Sequence, residues 1–240
     1  MQSQVKMVLG IIIGTLVIVA GLVWMLSAQF TQSAQPAADL PAVDAALLLK
    51  PTSHILSNGV VNTPQVMIVE FSDFQCPACR AAAPGVKQLL AKYQGKVAFA
   101  YRHFPLTMHR YSEIAARAAE AAGKQGKFYE MHDILFGRQD AWSTNKNPSD
   151  LFSEYAKELE LNTEQFVADL NSSEVKAVVA ADNADALALS INSTPSFFVN
   201  GKRVTGFSQT ELESLITAEL AAAPVMGAEE SATPSGAQAQ

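Results

Sequence analysis

The strongest constraint on what this chain can fold into is a Cys-Pro-Ala-Cys element at residues 76–79, set between a strand-like run and a helix-like one. Upstream, Gln65-Val-Met-Ile-Val-Glu-Phe71 is short, apolar and β-branched, the pattern of a buried strand. Ser72-Asp73 reads as a turn. Downstream, a helical stretch runs to about Tyr93, with Pro84 as a point where it can kink. Pro77 suits a first helical turn, where no N–H is needed. A two-residue spacer at such a place closes a small ring, leaves the first sulfur at the helix end and tucks the second inside. The unpaired N–H groups and the positive end of the helix dipole favour a thiolate on the first sulfur, and the thiolate is the reactive species. Cys76 is therefore expected to be the attacking thiolate and Cys79 the resolving thiol, cycling through a Cys76–Cys79 disulfide.

Spacing alone leaves rivals. A structural disulfide over so short a loop contributes only about 2 kcal/mol in the entropy model, against nearly 5 for a long loop. A zinc half-site needs two more ligands. These are the only cysteines in the chain, and His54, His103, His109 and His132 show no paired spacing, so no metal site is expected. Two inert buried thiols are the third alternative. The strand before and the helix after favour redox use.

The remaining pattern supplies a domain around this element. Lys96-Val-Ala-Phe-Ala-Tyr-Arg102 reads as a second strand. From about Tyr111 to Ser190 the chain is rich in Ala, Leu and Glu at helical spacing, with breaks at Gly137, Asn145–Pro148 and Asn171. Ser196-Phe-Phe-Val-Asn200, Gly201 and Lys202-Arg-Val-Thr205 read as a hairpin with an Asn-Gly turn, and Gln209 to about Leu220 as a closing helix. The expected class is α/β: a small sheet flanked by helices and interrupted by a helical insertion at about 107–190. The domain is expected over 53–222, after a linker at 28–52 and before a disordered tail at 223–240. His103, Phe128, Tyr129, His132 and Trp142 read as core. Glu113 and Glu120 read as part of a solvated helix face.

The N-terminus speaks to location. Val8 to Leu26 carries no charged residue; at about 1.5 Å per helical residue it covers roughly 28 Å, close to a bilayer's hydrocarbon thickness. An uncleaved transmembrane anchor is expected over 7–27. A cleaved signal peptide is the alternative, with cleavage after Ala28 disfavoured by Leu26 two residues earlier. Lys6 precedes the span and no Lys or Arg follows until Lys50, which leaves residues 1–6 in the cytoplasm and the domain outside. Net charge is −6, and the seventeen Lys and Arg residues form no basic stripe, which argues against nucleic acid as a partner.

Glu70-Phe-Ser-Asp-Phe-Gln-Cys-Pro-Ala-Cys79 resembles the active-site region of the DsbA-like branch of the thioredoxin superfamily. Tyr101–Leu106, Gly126–Phe136 and Ser193–Gly201 continue the match in order, so it covers about Ile55 to Leu220. The resemblance implies a thioredoxin fold, with a central mixed sheet and a helical insertion, and no cofactor. It implies a cis Thr194–Pro195 peptide beside the disulfide, with Thr194 pairing with substrate and Pro195, Pro77 and Ala78 beside it. It implies that Glu70 is a buried acid able to take the proton of Cys79; a strand-end acid facing solvent is the other reading. The Pro-Ala spacer departs from the Pro-His of the best-known oxidising member and lacks one source of thiolate stabilisation. The implied activity is extracytoplasmic thiol–disulfide exchange on cysteine-containing secreted or membrane proteins, at a bacterial cell membrane or, after signal cleavage, in secreted form. A membrane quinone-linked protein would re-oxidise it. A reductase or isomerase on the same fold, and a membrane-tethered chaperone, are the alternatives.

Overall fold

The sheet is assembled from five strands: β1 (His54–Leu56), β2 (Val66–Ser72), β3 (Val97–His103), β4 (Ser196–Val199) and β5 (Lys202–Val204), in spatial order β1-β3-β2-β4-β5. This is a computed structural model that describes residues 19, 21, 43, 45–60, 63–204 and 207–223. The expected anchor at 7–27 lies outside the described residues except Val19 and Gly21, and the expected tail except Ala223. Among the described residues no helix is long and apolar enough to cross a membrane.

β2 and β3 run parallel and the other neighbours antiparallel, so the sheet is mixed. Both central strands are buried along nearly their whole length, which explains their continuous apolar character. Asn200 and Gly201 both have positive φ, 46° and 83°, the left-handed pair that a tight Asn-Gly hairpin turn requires. β1 was not visible in the sequence. Three residues are too few for alternation to show, and only pairing with β3 makes His54–Leu56 a strand.

Helix α1 is Ala45–Leu48, and α2, Pro77–Lys92, follows the cysteine loop with Pro84 inside one continuous helix. The insertion contains α3 (Ser112–Gly123), α4 (Phe128–Gly137), α5 (Gln139–Ser143), α6 (Pro148–Glu158), α7 (Thr163–Asn171) and α8 (Ser173–Ala188). The breaks expected at Gly137, Asn145–Pro148 and Asn171 all fall at helix boundaries: Gly137 and Asn171 are last residues of α4 and α7, and Pro148 is the first of α6. Asn162 and Ser172 cap α7 and α8 by accepting from Gln165 N–H and Val175 N–H. Helix α9, Gln209–Ala222, closes the domain. One sheet face packs through Ile68, Phe99 and Tyr101 against α2, the insertion and α9. The other packs through Val69, Phe71 and Phe198 against Leu48, Ala186 and Ile191.

Two expectations are corrected. Val43, Leu48 and Leu49, within the stretch assigned by composition to a linker at 28–52, pack on the sheet instead. Val43 N–H donates to the Gly201 carbonyl at 2.8 Å, and Leu48 is buried. The reason is Arg102, fully buried on β3. Its guanidinium pairs with Asp182 at 2.8 Å and Asp185 at 2.7 Å on α8 and also donates to the Leu48 carbonyl. A buried cation needs every donor matched, so the segment before β1 is drawn onto the domain. Glu120, read as part of a solvated face, is also buried, at 6% exposure. Each of its carboxylate oxygens meets an imidazole, His103 Nε2 at 2.8 Å and His54 Nε2 at 3.0 Å. Glu113, on the same helix, is exposed as expected.

Candidate active site

β2 delivers the chain to its C-terminal end at Ser72, and the loop Asp73–Gln75 then turns it into α2. Asp73 holds that loop. Its buried carboxylate accepts from Gln75 N–H at 2.7 Å, Leu106 N–H at 2.9 Å and His109 Nδ1 at 2.7 Å, while its carbonyl accepts from Cys76 N–H at 3.0 Å. The first of these is an Asx turn, which Asp favours because its short side chain reaches its own backbone two residues on. Cys76 is the N-cap of α2, with extended φ and ψ of −71° and 123°.

Both cysteines are thiols here. Cys79 is fully covered and Cys76 is 6% exposed, with Pro77 and Ala78 exposed beside it. Cys76 is more covered than a free helix end would leave it. The segment before β4 lies against it, and the Cys76 thiol donates to the Thr194 carbonyl at 3.6 Å. The Thr194–Pro195 peptide is cis. Thus 118 residues of sequence separate Cys76 from Thr194, and the pairing of β2 with β4 removes that distance.

The two sulfurs are electrostatically unlike. A hydrogen bond from the Cys79 thiol, joined by the backbone N–H groups of Cys79 and Ala78, overcomes burial and lowers the Cys76 pKa from an ordinary 9.0 to about 5. Burial first, then hydrogen bonding to Cys76 and the nearby Glu70 carboxylate, push Cys79 far above the ordinary thiol range. Of the two thiol protons, that of the outer sulfur leaves first.

Glu70 is buried, at 2% exposure, so the strand-end acid facing solvent is not what the structure holds. Its Oε1 accepts from the Ser72 hydroxyl at 2.7 Å. Burial outweighs that bond and pushes the carboxyl from 4.5 up to about 7. Glu70 also lines a cavity of about 520 Å³, together with Val86, Leu90, Phe99, Phe128 and His132.

The sequence-derived residues Glu70, Cys76, Pro77, Ala78, Cys79, Thr194 and Pro195 therefore gather at one end of the sheet. Sequence reasoning missed Asp73, Ser72 and Gln139. Asp73 carried a usable signal, since an Asp opening a turn two residues before Gln75 is a common Asx arrangement. Gln139 carried none: it reaches the carbonyls of Phe74 and Cys76 from more than sixty residues away. Among the described residues no group of three or more His, Cys, Asp or Glu is placed to hold a metal ion.

A strand, a Cys-x-x-Cys at a helix start and an opposing cis-proline segment define a thioredoxin-type redox site. A family model described as thioredoxin matches residues 57–218, and the chain belongs to that family. Among solved structures, a thioredoxin-like oxidoreductase from Silicibacter pomeroyi DSS-3 is 34% identical, with a TM-score of 0.63, covering 75% of this chain and 99% of that one. BdbD from Bacillus subtilis shares the fold at 24% identity and a TM-score of 0.63, covering 71% of this chain and 94% of that one. Wolbachia pipientis alpha-DsbA1 shares it at 22% and 0.64, covering 74% and 95%. The expected DsbA-like thioredoxin fold is thus present. Two curated relatives carry a different name: a Na(+)/H(+) antiporter NhaA 3 of Salinispora tropica is 43% identical over 142 residues, 59% of this chain and 21% of that protein. A Na(+)/H(+) antiporter NhaA of Herminiimonas arsenicoxydans is 34% identical over 205 residues, 85% of this chain and 31% of that protein. This chain spans less than a third of the length of either.

Proposed function

We propose that this protein is an extracytoplasmic thiol–disulfide oxidase that donates its Cys76–Cys79 disulfide to cysteines of secreted or membrane proteins. The observation that carries this reading is the placement of Cys76 at the N-cap of α2, against the Thr194 carbonyl and beside the fully covered Cys79, a setting that lowers the Cys76 pKa to about 5 while burial raises that of Cys79. A substrate thiolate attacks Cys76 Sγ and breaks the Cys76–Cys79 bond, and Cys79 leaves and takes up a proton, for which Glu70 is the adjacent source. A second substrate thiolate then attacks the substrate sulfur of the mixed disulfide. Cys76 leaves as a thiolate, the substrate departs oxidised and the enzyme holds two reduced sulfurs. A thiol of low pKa is a good leaving group, which drives donation rather than reduction. In re-oxidation the steps reverse, and Glu70 accepts the Cys79 proton. Thr194 and Pro195, with Pro77 and Ala78, form the surface that a substrate segment meets.

A membrane quinone-linked protein is the re-oxidising partner in this reading, and residues 7–27 anchor the domain on the outer side of a bacterial membrane. The antiporter names belong to much longer proteins, of which this chain matches less than a third. A reductase or isomerase on the same site is separated by the reduction potential of the purified protein. A value near about −120 mV supports the oxidase and one near about −270 mV the reductase. Cys79→Ser should trap covalent substrate complexes through Cys76. Recovering none, with Cys76 inert to alkylation, would leave a tethered chaperone as the better reading.

A further inference from the structure

Gln139 is a buried polar residue, 4% exposed, at the start of α5 in the helical insertion. Both hydrogens of its side-chain amide are committed to the reactive loop. Nε2 donates to the Phe74 carbonyl at 2.7 Å and to the Cys76 carbonyl at 3.1 Å. The Cys76 carbonyl also accepts the first helical bond, from Arg80 N–H at 3.1 Å.

Two neighbours keep Gln139 in place. Trp142 lies three residues on, on the same side of the turn. It is fully buried, its Nε1 donates to the Leu135 carbonyl at 2.7 Å, and its ring meets Phe152 edge-on. Asp140 pairs with Arg80 of α2 at 2.5 Å, an exposed bridge that orients more than it stabilises. α5 is therefore anchored in the insertion at one end and reaches the loop before α2 at the other.

We propose that Gln139 is a positioning residue that sets the reactivity of Cys76, acting through the main chain and not by touching the sulfur. It gathers the Phe74 carbonyl and adds a second bond to the Cys76 carbonyl that Arg80 N–H already holds, which fixes the loop on both sides of Gln75 and keeps Cys76 in the N-cap conformation. An N-cap position sets its side chain beside the free N–H groups of the first helical turn. Buried amides are normally satisfied, and here both bonds go to carbonyls of the one reactive loop. The inference rests on reading Cys76 as the attacking sulfur.

The test uses Gln139→Met, which keeps length and loses the donors, and Gln139→Glu, which keeps the shape. Reduced proteins are titrated by thiolate absorbance, equilibrated with glutathione, and melted. Loss of a net hydrogen bond's worth of orientation should raise the Cys76 midpoint by about half a unit to one unit in Gln139→Met. The glutathione equilibrium should move about three- to tenfold toward the disulfide form. Gln139→Glu should raise the midpoint at least as far. A folded Gln139→Met with a lower melting temperature but an unchanged midpoint and glutathione equilibrium overturns the proposal, and if only Gln139→Glu folds, the same result in it does so. A wild-type protein that shows no thiolate below neutral pH sinks the reading of Cys76 itself, a separate outcome.

Discussion

His103 Nε2 lies 2.8 Å from one carboxylate oxygen of Glu120, in the interior of the protein. The other oxygen meets His54 Nε2, so one side chain of α3 ties together β3 and β1. Burial alone would push the Glu120 carboxyl up, but hydrogen bonding to the two histidines outweighs it and holds the pKa at about 2.

That depressed value sets a pH dependence. A carboxyl with a folded pKa of about 2 and an ordinary value of 4.5 contributes stability that is complete above 4.5 and lost as pH falls toward 2. Glu120→Ala should cost about 3 kcal/mol at neutral pH, because it leaves two imidazoles without their partner. Glu120→Gln should flatten the acid side of the stability profile. Denaturant titration from neutral to acid pH checks both, and equal midpoints for mutant and wild type would show the cluster contributes nothing.

Gly123 closes α3 beneath the same histidine. A Cβ added there would stand 2.6 Å from His54 Cε1 and 3.3 Å from Phe128 Cδ2. His54 is stacked on Phe128 with ring centroids 3.9 Å apart and cannot retreat without breaking the stack. Gly123→Ala should therefore destabilise by about 1–3 kcal/mol, although alanine favours helix elsewhere. A melting temperature at or above that of wild type would refute this.

The Cys76 pKa makes the two redox forms respond differently to pH. In the reduced protein a thiol ordinarily near 9.0 is lowered to about 5, so its contribution is complete above 9.0 and is lost as pH falls through about 5. The disulfide form has no such group. Calorimetry of both forms should find the reduced protein the more stable at pH 8, with the gap closing toward pH 5. A gap independent of pH would contradict an ionised Cys76.

Glu70 has the opposite sign. Its folded pKa of about 7 lies above 4.5, so the protein loses stability as pH rises from 4.5 through 7 and a charge must be held in the interior. Glu70→Gln should be more stable than wild type above pH 7 and should slow exchange on the order of a hundredfold, the usual worth of a placed proton acceptor. Stopped-flow release of a mixed disulfide measures the rate. A stable variant with undiminished release would remove Glu70 from the mechanism.

Local chemistry made much of this legible in advance. β2 and β3 announce themselves because strands buried on both faces carry apolar runs, here residues 66–69 and 97–101, and the hairpin because Asn200–Gly201 supplies two left-handed residues in a row. The helix boundaries at Gly137 and Asn171 follow from residues that end helices. The cysteine pair carries its own local logic, a spacer and a helix start within four residues. Nothing local marks β1 as a strand, the packing of Val43, Leu48 and Leu49, or the burial of Glu120. Each is decided by a partner far along the chain, respectively β3, Arg102 and the two histidines.

By itself, then, the sequence determined most of the elements and marked the Cys-Pro-Ala-Cys spacing, since propensity, turn chemistry and dithiol spacing act over a few residues. Tertiary structure alone decided the geometry at the site: the Thr194 carbonyl against Cys76, Gln139 on the carbonyls of the loop, and the buried Glu70–Ser72 pair. Their influence depends on distance and burial through space, and strand pairing and helix packing set both without leaving a trace in local composition.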